Sequence, residues 1–148
     1  MVITEEKKLK IDRIIDMEWQ MFQKVENIGG RASCQDDFET FYIMRFSQYG
    51  GWSDEMVDLY LSFVADSFRL GRNLVSEKYA RMMKFTDPEY FHQVLEPYFP
   101  PLEGERLALI DKIVEAMIAW EIDFSKLYPK LSAAGRPITS DGDASGFT

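Results

Sequence analysis

A glutamate in the middle of an apolar helical face is the feature that most limits how this chain can fold. Ile11, Ile14, Ile15, Phe22, Val25 and Ile28 recur at helical spacing and define one buried stripe. Glu18 falls inside that stripe, one turn after Ile14 and one turn before Phe22. An ionised carboxylate in a core slot is costly unless it is paired and hydrogen-bonded. The fold must therefore bring a donor to Glu18 or open a polar cavity beside it.

The second helical pattern carries the opposite charge in the same kind of place. Phe38, Phe41, Tyr42 and Tyr49 form its apolar stripe, Arg45 takes the slot after Phe41 and Tyr42, and Gln48 follows one turn on. Thr40 and Asp37 lie at the edge of this surface. Arg is seldom buried alone, and its guanidinium fork suits carboxylates and phosphates. Between the two patterns, Asn27 is placed to end the first helix, and Gly29 and Gly30 can take positive φ without penalty. Ser33 with Asp36 resembles a cap for the second helix, and Asp36 or Asp37 suits its positive end. So short a turn makes the helices antiparallel neighbours. At ~1.5 Å of rise per residue, Glu18 and Arg45 then fall at similar depth.

Two readings of that pair follow. In one, Glu18 and Arg45 form a structural ion pair inside a bundle, and the protein is an interaction module whose aromatic helices pack against a partner. In the other, the helices enclose a polar cavity for a small carboxylate-bearing ligand, in an enzyme or a binding protein. Arg45 and Gln48 would hold the anion, and Glu18 would act as the acid/base or amine-binding group. Trp19 and Tyr42 would form the walls, Arg31, Gln35 and Asp37 the mouth, with Thr40 at its edge.

Composition narrows the classes around these readings. The chain has 148 residues, enough to bury a core, and 46% hydrophobic with 28% charged residues is the balance of a folding sequence. A formal charge of −8 argues against nucleic acid and against adhesion to anionic membranes, both of which want a basic surface. Cys34 is the one cysteine, so no internal disulfide forms, as suits a reducing compartment. The run Thr4-Glu5-Glu6-Lys7-Lys8 lacks the apolar core of a signal peptide, and no apolar run reaches a membrane span. The expected setting is the cytoplasm, with a homo-oligomer among the assembly states left open.

Along the chain the spacing predicts helices over about 5–27 and 37–49. Ser53 then caps a third helix. Its residues Met56, Leu59, Tyr60, Phe63, Val64, Phe68 and Leu70 cover more than one face, the mark of a central helix. Gly71 reads as a kink, with helix resuming through Glu77, Tyr79 and Met83. Thr86-Asp87-Pro88 starts a short helix that ends near Pro97, and Pro100-Pro101 links to a last long helix over about 103–127. There Leu109, Ile113, Ala116, Trp120, Phe124 and Leu127 form one stripe, widened by Ile110, Val114 and Met117. The expectation is an all-α, single-domain helical bundle of about five helices over 1–137, with a polar tail over 138–148.

Conventional chemistry finds few footholds. His92 is the one histidine and sits among aromatic residues, in a setting that suits packing or surface better than catalysis. One histidine and one cysteine cannot build a zinc site, and no paired Glu-x-x-His motif exists for a di-metal bundle. No metal site is expected, and no cofactor is specified. Gly29-Gly30 lacks the strand and lysine of a phosphate loop. Cys34 lies before a helix start with Arg31 nearby, a setting that lowers a thiol pKa. It joins Glu18 as a candidate catalytic residue, although lone cysteines are commonly packing residues.

Several runs carry a resemblance. They are Met17-Glu18-Trp19-Gln20-Met21-Phe22, then Gly29-Gly30-Arg31-Ala32-Ser33-Cys34-Gln35-Asp36-Asp37, then Glu39-Thr40-Phe41 and Met44-Arg45-Phe46-Ser47-Gln48. Together they resemble a bacterial family of unknown function, DUF4125. Gly71-Arg72-Asn73-Leu74 with Glu77-Lys78-Tyr79-Ala80, and Tyr128-Pro129-Lys130-Leu131 with Gly135-Arg136-Pro137, look like further landmarks. The resemblance implies a helical protein and brings no activity with it. It also implies a further helical segment beyond Phe147-Thr148, which would make these residues a shortened or partial chain.

Overall fold

Thr4 starts the first helix, α1 (Glu5–Gln23): its hydroxyl accepts the Lys7 amide at 3.2 Å, and Glu5 and Glu6 occupy the first turn, where the helix dipole favours negative charge. The structure, a computed structural model, describes residues 3–135. The expected tail over 138–148, the 1–137 boundary and the Arg136-Pro137 landmark lie outside those residues. The chain is all-α, with no strand among the described residues. Their contacts divide into two compact units between Lys78 and Tyr79.

In the first unit α1 is the central element. It packs against α2 (Phe38–Gly50) and α3 (Asp54–Arg69). Ile11, Ile14 and Ile15 are buried at the middle of the core, joined by Met21, Phe22, Val25, Tyr49, Val57, Val64 and Val75. Burying each isoleucine is worth about 1.5–3 kcal/mol, and Ile14→Ala would remove about 2–5 kcal/mol. The expectation that α3 is the central helix is corrected: only Val57, Val64 and Ser67 of α3 are buried, while Met56, Leu59 and Phe63 face solvent.

Three boundaries differ from the sequence reading, each for a local reason. α1 ends at Gln23 rather than near Asn27. Side chains from elsewhere take its last carbonyls, so the helix need not continue, and Ile28 leaves the apolar register and is exposed. The cap of α2 is Asp37, whose carboxylate accepts the Thr40 amide at 3.0 Å. Ser33–Asp36 instead forms a 3₁₀ turn, and Asp36 pairs with Arg31. Gly71 ends α3 rather than kinking it. With φ +73° it lets the Gly71 amide reach the Phe68 carbonyl (3.1 Å) and the Arg72 amide reach that of Ser67 (2.9 Å), the Schellman closure that glycine permits.

The next helix, α4 (Leu74–Thr86), is followed by the expected helix start at Pro88, which opens α5 (Pro88–Tyr90) with Asp87 as its cap. A π turn over Phe91–Leu95 and a 3₁₀ turn over Glu96–Tyr98 come next, then α6 (Gly104–Leu127) and the short α7 (Pro129–Ser132). The five long helices (α1 to α4 and α6) agree with the expected number. α6 is unusual in that none of its side chains is buried.

Candidate functional site

Glu18 lies on the buried face of α1, 2% exposed, and three side chains from α2 and α3 converge on its carboxylate. From the end of α2 the Tyr49 hydroxyl stands 2.8 Å from both Oε1 and Oε2. From α3 the Tyr60 hydroxyl donates to Oε1 at 2.6 Å. From the middle of α2 the Arg45 Nε lies 3.5 Å from Oε2, its guanidinium stacked 5.2 Å over the Phe41 ring. Trp52 closes the tyrosine side, with ring centroids 4.8 Å from Tyr49 and 5.3 Å from Tyr60. Burial raises the pKa values of both tyrosines, and the Glu18 charge pushes them further the same way. Both hydroxyls therefore remain protonated donors at neutral pH. Two O–H groups donate to the carboxylate and a guanidinium faces it, and no buried side-chain nitrogen or oxygen among the described residues lacks a partner.

A second polar assembly forms at the turn. Gln35 is buried beneath it and spends its whole amide: Nε2 donates to the Phe22 and Val25 carbonyls (2.9 and 3.1 Å), and Oε1 accepts from Asn27 and from the Ala32 amide (3.0 and 2.9 Å). Arg31 donates to Asp36 (2.7 Å), to the Gln23 side chain (2.6 Å) and to the Gln35 carbonyl (2.8 Å). Asn73 joins from the far side: its amide donates to the Met21 carbonyl at 2.8 Å while its oxygen caps the Ser76 amide at 2.9 Å. Arg72 beside it holds Glu77 through two contacts, 2.5 and 2.8 Å. The runs Gly29–Asp37 and Gly71–Leu74 thus meet at the C-terminal end of α1. An open depression of about 340 Å³ lies at this turn, lined by Val25, Glu26, Asn27, Gly30, Arg31 and Gln35.

The candidate residues fall into separate groups. Glu18 and Arg45 come together as the spacing indicated, and Arg31 and Gln35 come together at the turn. Asp37 and Thr40 form the cap of α2, and hydrogen bonding to the Thr40 amide lowers the Asp37 pKa. Gln48, Thr40 and Cys34 are exposed. Trp19 packs among Phe22, Phe38 and Phe41, with centroids 5.9, 5.1 and 5.1 Å away. Tyr42 donates to Asp12 at 2.7 Å. Periodicity misses the tyrosines. It places Tyr49 and Tyr60 on apolar stripes, and the only signal is a hydroxyl where phenylalanine would fit. Lys7 is also missed: buried, it donates to the Trp52 carbonyl at 2.6 Å and lies 3.4 Å from Asp54.

The second unit offers a surface of another kind. Ile110, Val114, Met117 and Ile118 of α6 are half-buried, but the adjacent stripe faces solvent. Leu109 is 58% exposed, Ile113 51%, Trp120 70%, Phe124 39% and Leu127 73%. No helix among the described residues is long and apolar enough to cross a membrane, and among them no three His, Cys, Asp or Glu side chains are grouped to hold a metal ion.

A family model described as a protein of unknown function (DUF4125) matches residues 8–148. No curated protein and no solved structure matches the chain.

Proposed function

The chain belongs to the DUF4125 family, and we propose that it works as a helical interaction protein whose α1–α3 unit is a scaffold and whose α6 presents the contact surface. One observation carries this reading: a helix of 24 residues buries none of its side chains and leaves its leucine, isoleucine and tryptophan stripe in water. Trp at the centre of such a stripe is the residue type that anchors protein contacts. The Glu18 cluster is compatible with the same reading, because a buried carboxylate held by two hydroxyls and facing a guanidinium fixes the packing of α1, α2 and α3. The single exposed thiol of Cys34 suits a reducing, cytoplasmic setting. The test is a photo-crosslinking amino acid at Trp120 in cells, with Glu55 on exposed α3 surface as the control position. A discrete crosslinked product from Trp120 alone is expected. No product from Trp120 overturns the reading.

The depression at the turn favours a second reading, a small carboxylate-bearing ligand, because Arg31 and Gln35 both line it. A ligand carboxylate there would take the place of Asp36 on the Arg31 guanidinium. Thermal shift against amino acids and keto acids tests it. A ligand at about 100 times its dissociation constant adds roughly 2.7 kcal/mol, and the shift should vanish in Arg31→Met. A shift that persists in Arg31→Met sinks this reading.

A further inference from the structure

We propose that α6 pairs antiparallel with α6 of a second copy of this chain, about a two-fold axis level with Ile118. The proposal rests on the reading of α6 as the contact surface and names its occupant.

The stripe is self-complementary in the way a two-fold contact requires, where the residue that touches its opposite number is touched by it in return. At roughly 100° per residue, Leu109, Ile113, Ala116, Trp120, Phe124 and Leu127 share one side of the helix. The axis at Ile118 sets Leu109 opposite the partner's Leu127 and brings Ile113 within one residue of level with the partner's Phe124. It also sets Ala116, the smallest side chain of the stripe, opposite the partner's Trp120, the largest. Each tryptophan thus meets the gap left by an alanine, twice in the pair.

Charge follows the same register. Lys112 and Asp123 lie along one edge of the stripe. In an antiparallel pair, residues on the same edge meet across the seam, and Lys112 comes within one residue of level with the partner's Asp123, in reach of its long side chain. A parallel pairing would put this edge on opposite sides of the two helices, so Lys112 and Asp123 would not meet across the seam. Asp123 contacts Lys126 of its own helix at 3.1 Å with both side chains exposed, so it is accessible to the second lysine.

The area is sufficient and modest. A fully buried large side chain covers roughly 150–250 Å². Weighted by their exposed fractions, the five large residues of the stripe supply on the order of 500 Å² per copy, about 1,000 Å² for the pair, the threshold of a specific interface. A reversible dimer with a dissociation constant on the order of micromolar is the expected product.

Sedimentation equilibrium of the full chain over a wide concentration range reads it directly. Trp120→Ala should weaken the dimer about thirtyfold or more. Lys112→Asp and Asp123→Lys should each weaken it about three- to tenfold, and the two together in one chain should restore it. All these side chains are exposed, so circular dichroism should show an unchanged fold. A monomer at every concentration, a dimer indifferent to Trp120→Ala, or a double exchange that fails to restore pairing overturns the proposal. A Trp120 crosslink to a different protein, with a monomer in the centrifuge, overturns self-pairing and leaves the interaction reading standing.

Discussion

The core of the α1–α3 unit admits Glu18, Gln35 and Lys7, each with its polar atoms partnered, whereas α6 leaves Leu109, Ile113, Trp120 and Leu127 in water. The two regions invert the usual distribution of polar and apolar groups in opposite directions, and the physics of each inversion differs. A buried carboxylate is satisfied by few arrangements, so Tyr49, Tyr60 and Arg45 must arrive at set distances and the helices are fixed in register. An apolar stripe is non-directional and fixes nothing until something covers it. Polar burial therefore accounts for how the first unit is specified, whereas the exposed stripe of α6 leaves its own side of the helix unspecified.

The contrast can be broken at its strongest point first. Glu18→Ala strands the Tyr49 and Tyr60 hydroxyls in the core and removes the carboxylate that faces Arg45, and should cost about 3–5 kcal/mol. Urea unfolding followed by tryptophan fluorescence reads it, and an unchanged midpoint would end the claim that the cluster holds the unit together. Gln35→Ala comes next. It leaves the Phe22 and Val25 carbonyls and the Ala32 amide to find other partners, at about 1–3 kcal/mol by the same measurement.

Alkaline pH then sharpens the comparison. The folded pKa values of Tyr49 and Tyr60 are raised, so their contribution is complete below the unfolded value of about 10 and declines as pH rises above it. The melting temperature should be nearly flat on this account up to about pH 10 and fall beyond it. The double variant Tyr49→Phe/Tyr60→Phe, though less stable at neutral pH, should show a shallower fall; an equal slope would remove the tyrosines from the explanation. The smallest effect lies at the other region. Trp120→Ser or Leu127→Ser, in dilute solution, should change unfolding stability by no more than about 0.5 kcal/mol, and a loss of several times that would mean the stripe is part of a core after all.

Helical spacing is a local property, and it made the long helices legible, along with the Thr86-Asp87-Pro88 start and the near level of Glu18 and Arg45. What it could not convey is which stripe ends up covered. The α6 stripe has the same periodicity as that of α1, yet one lies in solvent and the other at the centre, because burial depends on what else is present to pack. The end of α1 was misplaced for a related reason. Its carbonyls are closed by Gln35 and Asn73, 10 to 52 residues away along the chain, and no window of neighbouring residues contains that information. The Glu18 site was legible as an anomaly but only half legible as a site. Arg45 announced itself by charge, while Tyr49 and Tyr60 were hidden by aromatic rings that fit an apolar pattern.

Asn73 serves two helix ends with one side chain, its oxygen on the Ser76 amide and its amide on the Met21 carbonyl. Neither end can fray without releasing the other, so the first turn of α4 and the last turn of α1 open as one event. In hydrogen exchange the Ser76 amide should share its opening free energy with the amides at the end of α1, rather than showing the fast exchange of an ordinary helix start. One amide side chain thereby makes two segments far apart in the sequence members of a single cooperative unit.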